Sequence, residues 1–108
     1  MSYRMMLDDI RPPPNKSWTV VRSVAAAKEQ ILTWGMPFYI SFDHDLGDNV
    51  PSGKDFANWL VESDLAGDIH IPLNFEFYVH SANPAGALNI QGLMSQYLAH
   101  KRKLGVTP

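Results

Sequence analysis

The sequence predicts an α/β domain built on a mostly parallel sheet of about four strands. Short apolar segments rich in β-branched and aromatic residues alternate with segments whose apolar residues follow helical spacing. Three of the short segments, residues 3–7, 38–42 and 75–79, end abruptly in ionisable or polar residues. Short apolar runs of this kind are typical of buried strands in parallel sheets, and ligands bind just beyond the carboxyl ends of such strands.

Composition limits the class of protein before any motif is considered. The chain has 108 residues, 45% of them hydrophobic and 19% charged, which predicts a single globular domain over residues 1–108. A net charge of −2 predicts no extended nucleic-acid surface. There is no cysteine, so disulfides and thiolate metal sites are excluded. Without a leader or an apolar run of about 18 residues, we expect a cytoplasmic protein that contacts no membrane.

The first predicted strand, residues 3–7, leads into a stiff acidic loop. Asp8 and Asp9 follow the strand directly, and the prolines at 12–14 come soon after them. Proline fixes the backbone and lacks an amide donor, so neither a strand nor a helix continues here. The loop therefore holds Arg11 near the two aspartates, where an arginine is suited to a phosphate.

A short second strand and an alanine-rich helix come next. Residues 18–21 have the β-branched and aromatic character of a strand. The helix begins after Ser23 and ends at Gly35, before a proline that prevents it from resuming. Helical spacing places four apolar residues on one face: Val24, Ala27, Ile31 and Trp34.

The third strand, residues 38–42, ends in an acid–imidazole–acid triplet at 43–45. Ionisable residues are costly to hold together at a strand end unless a cation or substrate shares their charge. A loop rich in glycine, proline and asparagine follows, and an amphipathic helix then runs from about Lys54 towards Gly67. Its predicted inner residues are Phe56, Trp59, Leu60 and Leu65.

The fourth strand, residues 75–79, leads through polar residues 80–83 into a final helix over 84–103. Asn83 is a good N-cap and is followed by the proline that the first helical position favours. The basic run 100–103 is predicted to be solvated and to complement the helix dipole. The predicted inner residues are Leu88, Leu93, Met94, Tyr97 and Leu98.

If the three polar-ended strands are parallel neighbours, the residues that follow them converge on one edge of the sheet. Carboxylates in that position suit Mg²⁺ or Mn²⁺. His44 and His80 would act as general acid and base, or would add imidazole ligands for a softer cation such as Mn²⁺, Fe²⁺ or Zn²⁺. The expected cluster contains Asp8, Asp9, Asp43, His44, Asp45, His80 and Ser81.

Three motifs resemble the cyclic-phosphate-processing receiver-like domain. They are Leu7-Asp8-Asp9-Ile10-Arg11-Pro12-Pro13, Ile40-Ser41-Phe42-Asp43-His44-Asp45-Leu46-Gly47 and Val79-His80-Ser81-Ala82-Asn83-Pro84. The resemblance runs from Leu7 to about Gly86 and implies a small three-layer receiver-like (flavodoxin-like) fold. The chain departs from ordinary receivers in two ways and is truncated relative to them: a first helix has no room between Arg11 and Trp18, and no fifth strand, with the lysine that ordinary receivers carry there, is expected.

The resemblance assigns roles to individual residues. Receiver domains carry an acidic pair after the first strand, a phosphorylatable aspartate after the third and a serine or threonine after the fourth. The residues that match these roles are Asp8, Asp9, Asp43 and Ser81. The cyclic-phosphate family adds His44, Asp45 and His80, which implies processing of cyclic phosphates at RNA ends or in nucleotides.

The favoured function is therefore that of a metal-dependent phosphoesterase, a phosphoric ester hydrolase acting on a cyclic phosphate. The expected ligands of Mg²⁺ or Mn²⁺ are Asp8, Asp9, Asp43 and Asp45. The expected catalytic residues are His44, His80 and Asp43, and the expected phosphate-binding residues are Arg11, Ser81 and Asn83. Two alternatives stay open: a signalling module phosphorylated on Asp43, and a protein that binds a nucleotide or another partner without turnover.

Overall fold

The computed structural model describes residues 3–104, which form one parallel sheet and three helices. The predicted receiver-like α/β class is confirmed, and three of the four strands begin one residue later than predicted. Among the described residues, no helix is both long and apolar enough to cross a bilayer. The elements in chain order are β1 Arg4–Leu7, β2 Trp18–Val21, α1 Val24–Trp34, β3 Tyr39–Phe42, α2 Gly53–Ala66, β4 Glu76–Val79 and α3 Pro84–Lys103.

The strand order β2-β1-β3-β4 makes the three polar-ended strands neighbours. All pairs are parallel, so their carboxyl ends lie at the same edge, as the sequence predicts. The ladder continues one residue past the strands. The amides of Asp8, Asp43 and His80 donate to the carbonyls of Val21, Leu7 and Phe42 at 3.1, 2.9 and 2.9 Å. Asp8, Asp43 and His80 are thereby fixed side by side.

The helices pack together against one face of the sheet. Alternate strand residues, such as Leu7 and Phe42, are fully buried in a core shared with all three helices. On the other face, the segment between β1 and β2 is a proline loop, because residues 8–17 leave no room for a crossover helix. The outer layer on that side is therefore loop rather than helix. Core residues from the helices include Ile31, Phe56, Leu60, Ile90 and Met94.

Three residues predicted to face the core are exposed instead. Trp34, Leu65 and Leu88 keep 72%, 69% and 68% of their surface accessible. Trp34 and Leu65 lie in the last turns of α1 and α2, and helical spacing predicts a face but not how far a neighbour covers it. Leu88 lies two residues before the buried Ile90, on the opposite side of α3.

The prediction of a fully solvated basic run is wrong at Lys101. Its ammonium group is buried and donates to Asp64 Oδ2 at 2.8 Å and to the Ile71 carbonyl at 2.6 Å. The hydroxyl of Tyr97 donates to the same carboxylate. Burial alone would raise the pKa of Asp64, but these bonds outweigh it and hold the pKa below its ordinary value. The cluster ties α2 to α3.

We expect Lys101→Met to lower the free energy of unfolding by about 3 kcal/mol, because it leaves the Asp64 carboxylate without its charge partner in a buried position. The measurement is urea denaturation at neutral pH. The control is Lys103→Met, because Lys103 is exposed and lies two residues after Lys101 in α3. This substitution should change the free energy of unfolding by less than about 0.5 kcal/mol. Equal effects from the two variants would contradict a stabilising role for the buried pair.

Candidate functional site

Three candidate residues form a compact group at the carboxyl edge of the sheet. A carboxylate oxygen from each of Asp8 and Asp43 and a ring nitrogen of His80 all lie within 4.8 Å of one another. Asp8 is fully buried and Asp43 is 8% exposed, whereas His80 is partly buried. Each residue directly follows a strand, so the alignment of β1, β3 and β4 brings them together. We call these residues the edge cluster.

Asp8 is held as a carboxylate by its neighbours. Its Oδ1 accepts hydrogen bonds from the amides of Ile10 and Arg11 at 3.0 and 2.9 Å, and its Oδ2 accepts one from His80 Nε2 at 2.8 Å. Burial alone would raise the pKa of Asp8, but the hydrogen bonds from the two amides and from His80 outweigh it and lower the pKa. The same bonds tether the loop that carries Arg11 to the edge cluster.

His80 is fixed by bonds to both ring nitrogens. Nε2 faces Asp8, and Nδ1 lies 2.7 Å from the hydroxyl oxygen of Ser41. A hydroxyl both donates and accepts, so Ser41 can stay bonded to Nδ1 in either tautomer. Ser41 is not among the site residues that the sequence predicts. Its signal is a lone polar residue inside an apolar strand, two residues before Asp43 and so on the same side of the sheet.

Asp43 is the member of the edge cluster with unused ligand capacity. Within residues 3–104, its buried side chain forms no hydrogen bond or ion pair, although the carboxylate of Asp8 lies close by. The guanidinium of Arg11 lies 3.7 Å from Asp8 Oδ2. Asp8 already has hydrogen-bond partners, so Asp43 is the carboxylate whose charge would be balanced by a bound cation.

The edge cluster brings together three donor atoms that could hold a divalent metal ion. Asp8 Oδ2 and His80 Nε2 are hydrogen-bonded at 2.8 Å, so an ion that binds both atoms must replace the proton between them. The donor set of two carboxylates and one imidazole suits Mn²⁺ and similar ions, and Mg²⁺ less well because it prefers oxygen. Asp9 and Asp45 lie outside this group of three, and their assignment as ligands stays a prediction.

A second polar unit, His44 with Asp45, lies at the end of β3. Asp45 Oδ1 is 2.7 Å from His44 Nδ1, and Asn83 Nδ2 donates to Asp45 Oδ2 at 3.4 Å. The bond from His44 is the main cause of the lowered pKa of Asp45. Among the described residues, His44 Nε2 has no hydrogen-bond partner. The imidazole is thus oriented at one nitrogen and available at the other.

The start of α3 packs against the His44 ring. A Cβ atom added at Gly86 would lie 2.4 Å from His44 Cγ, so a glycine is required for this close approach. Gly86 also donates its amide to Asn83 Oδ1 at 3.0 Å, which confirms Asn83 as the N-cap. Ser81 Oγ accepts the amide of Asn83 at 3.1 Å. Ser81 and Asn83 therefore shape the turn, and their role in binding phosphate stays a prediction.

Arg11 lies beside the edge cluster with its side chain half-exposed. One guanidinium nitrogen donates to the His80 carbonyl at 2.9 Å, which leaves further donors for a ligand. Arg22, which is not among the predicted site residues, donates to the carbonyls of Asp8 and Arg11 at 3.2 and 2.6 Å. It fixes the backbone of the acidic loop. An arginine just after a strand carries no sequence signal for this contact.

Comparison with known proteins agrees with this geometry. Residues 3–96 match the family described as the cyclic-phosphate processing receiver domain, and this range includes every candidate site residue. The chain belongs to this family. Comparisons with curated proteins and with solved structures gave no match. The family's description associates its members with cyclic-phosphate processing, which agrees with the resemblance carried by the three strand-end motifs.

Proposed function

We propose that the protein is a metal-dependent phosphoesterase that hydrolyses a cyclic phosphate, on a nucleotide or at an RNA end. One observation supports it most: the edge cluster lies beside an oriented imidazole, that of His44, which directly follows Asp43 in the chain. Binding a phosphate through a metal ion needs no second, oriented histidine, whereas hydrolysis needs a group that exchanges protons. The two units together favour catalysis.

Asp8, Asp43 and His80 would hold the ion, with Mn²⁺ favoured over Mg²⁺ by the imidazole. When bound, the ion would stabilise charge on the phosphoryl oxygens and help to generate the nucleophile. Ser41 would orient His80 through Nδ1, so that Nε2 faces the ion. We assign His80 as a ligand rather than a proton-exchanging group, since the Ser41 hydroxyl can accept a hydrogen bond from Nδ1 and leave the lone pair of Nε2 for the ion.

His44 would exchange the protons. Opening a cyclic phosphate with water forms one P–O bond and breaks one ester P–O bond. His44 Nε2 would take the proton from the attacking water and return it to the departing sugar oxygen. Asp45 would stabilise the protonated ring through Nδ1, and Arg11 would bind a non-bridging phosphate oxygen.

The test combines cation binding with hydrolysis. We expect Mn²⁺, and Mg²⁺ more weakly, to raise the melting temperature of the wild type saturably, because a ligand of the native state stabilises it by mass action. The same ion should be required for hydrolysis of 2′,3′- or 3′,5′-cyclic nucleotides. Asp43→Asn should lose both effects. Asp48→Asn, an exposed acid in the following loop, is the control and should keep both.

If no ion shifts the melting temperature and hydrolysis proceeds in a chelator, the metal-dependent assignment is wrong. A nucleotide that binds tightly but is recovered unchanged would instead support a binding protein without turnover. The carboxylate of Asp43, which has no hydrogen-bond partner in the part of the chain that the structure describes, also supports a second candidate, a signalling module phosphorylated at that position. In that case incubation with Mg²⁺ and a small phosphodonor should add a phosphoryl group to Asp43, detectable by mass spectrometry and absent from Asp43→Asn.

A further inference from the structure

An apolar groove lies on the helix-free face of the sheet and reaches the edge cluster. It has a volume of about 410 Å³, and three aromatic residues, Trp18, Tyr39 and Tyr78, line it. Arg11, Ser41 and His80 line it as well, so the groove shares three residues with the candidate active site. A pocket of this volume is large enough for a small organic ligand.

Sheet register explains why the aromatic residues and His80 share one face. Ser41 pairs with Tyr78 on the neighbouring strand, and Tyr39 precedes Ser41 by two residues. His80 follows Tyr78 by two residues, and side chains two apart on a strand point to the same side. The ring of His80 bonds back to Ser41 and so lies at the end of this row. The groove therefore leads directly to the edge cluster.

The groove is preorganised. The rings of Trp18 and Tyr39 contact each other edge-on, with centroids 5.8 Å apart and an interplanar angle of 81°. The Arg4 guanidinium lies 5.2 Å from the centre of the Trp18 ring, a cation–π contact. Pro12 and Pro14 form part of the lining on the loop side, and they lose little conformational freedom when a ligand binds.

We propose that this groove binds the base of a nucleoside cyclic phosphate whose phosphate lies at the edge cluster. This inference rests on the proposed function and specifies its substrate class. Nucleobases stack on aromatic rings, and the groove offers three rings next to a site for an anion and a cation. Stacking is tolerant of base identity, so we expect affinity for the base with weak discrimination between bases.

The experiment measures equilibrium binding by calorimetry with Mn²⁺, in the His44→Gln variant so that the ligand stays intact. Adenosine 2′,3′-cyclic phosphate is compared with 1-O-methylribose 2′,3′-cyclic phosphate, which lacks the base. We expect the nucleotide to bind at least ~5-fold more tightly, since one stacked base contributes about 1–3 kcal/mol. A short RNA ending in the same cyclic phosphate shows whether the terminal base of an RNA or a free nucleotide is preferred.

Two variants test the groove itself. Tyr78 is 59% exposed, so Tyr78→Ala should fold, and Trp18→Leu keeps an apolar side chain in place. Both substitutions should weaken binding of the nucleotide towards the affinity of the base-free compound. The affinity of the base-free compound should itself change by less than ~2-fold, because stacking makes no contribution to its binding. Trp34→Ala, an exposed tryptophan at the end of α1, is the matched control and should change neither affinity.

The outcomes separate this inference from the proposed function. Equal affinities for the two compounds would overturn the base-binding groove and leave the phosphate site standing. An advantage for the nucleotide that survives both groove variants would also overturn it, since the base would then bind elsewhere. Failure of both compounds to bind would overturn the proposed function and this inference with it.

Discussion

His80→Ala is expected to abolish cation binding and turnover together, whereas His44→Ala is expected to lower kcat by ~10²–10⁴-fold and leave cation binding intact. The difference follows from their surroundings. His80 belongs to the edge cluster with Asp8 and Asp43, while His44 is oriented by Asp45 and has no partner at Nε2 within residues 3–104. The measurements are the rise in melting temperature with Mn²⁺ and the steady-state kinetics of each variant.

The control for both substitutions is His70→Ala, an exposed histidine outside the edge cluster, which should retain wild-type cation binding and kcat. If His80→Ala lowers the metal-free melting temperature as severely as it lowers activity, its role is structural and the assignment as a ligand fails. If His44→Ala turns over substrate at the wild-type rate, proton exchange must be assigned to another group.

Gly53→Ala is expected to lower the free energy of unfolding by about 3 kcal/mol and to distort the edge cluster. Gly53 is the buried first residue of α2, and an added Cβ would lie 1.9 Å from the carbonyl oxygen of Asp43. The obstacle is backbone, which has no alternative rotamer, so the helix start or the end of β3 must move. Cation affinity should therefore fall along with stability, as measured by urea denaturation and Mn²⁺ titration.

Gly92→Ala provides the matched control. Gly92 lies in the middle of α3, and an added Cβ would meet no atom within 4 Å. Alanine is preferred over glycine in a helix interior, so this substitution should raise stability by about 0.5–1 kcal/mol and leave the cation affinity unchanged. A Gly53→Ala variant as stable as wild type would show that the start of α2 moves freely relative to β3.

Much of the candidate site was predictable because it lies at strand ends. Apolar runs that stop at Asp8, Asp43 and His80 identify three parallel strands, and the edge they share follows from that class of sheet. The local caps were predictable for a similar reason: Asn83 and Gly67 act through the backbone of their own helices. These features depend on a few consecutive residues.

The contacts between residues remote in sequence, on which the proposed roles of the site residues depend, were not predictable in this way. Ser41, which bonds His80, and Lys101, which pairs with Asp64, act on residues 39 and 37 positions away in the chain. In the sequence, nothing distinguishes Lys101 from the other basic residues at the end of α3, and only its contact with α2 buries it. The proposed assignment of His80 as a ligand and of His44 as the proton-exchanging group likewise depends on the partners of their ring nitrogens.

The sequence by itself determined the α/β class, the parallel strands and the set of polar residues at one edge of the sheet, because these follow from periodicity and composition. Only the tertiary structure decided which of those residues meet. It separated the edge cluster from the His44–Asp45 pair and left one face of the sheet free of helix, with the aromatic groove on it. The reason is physical: strand order and register, which short-range patterns do not encode, set the distances between side chains remote in sequence.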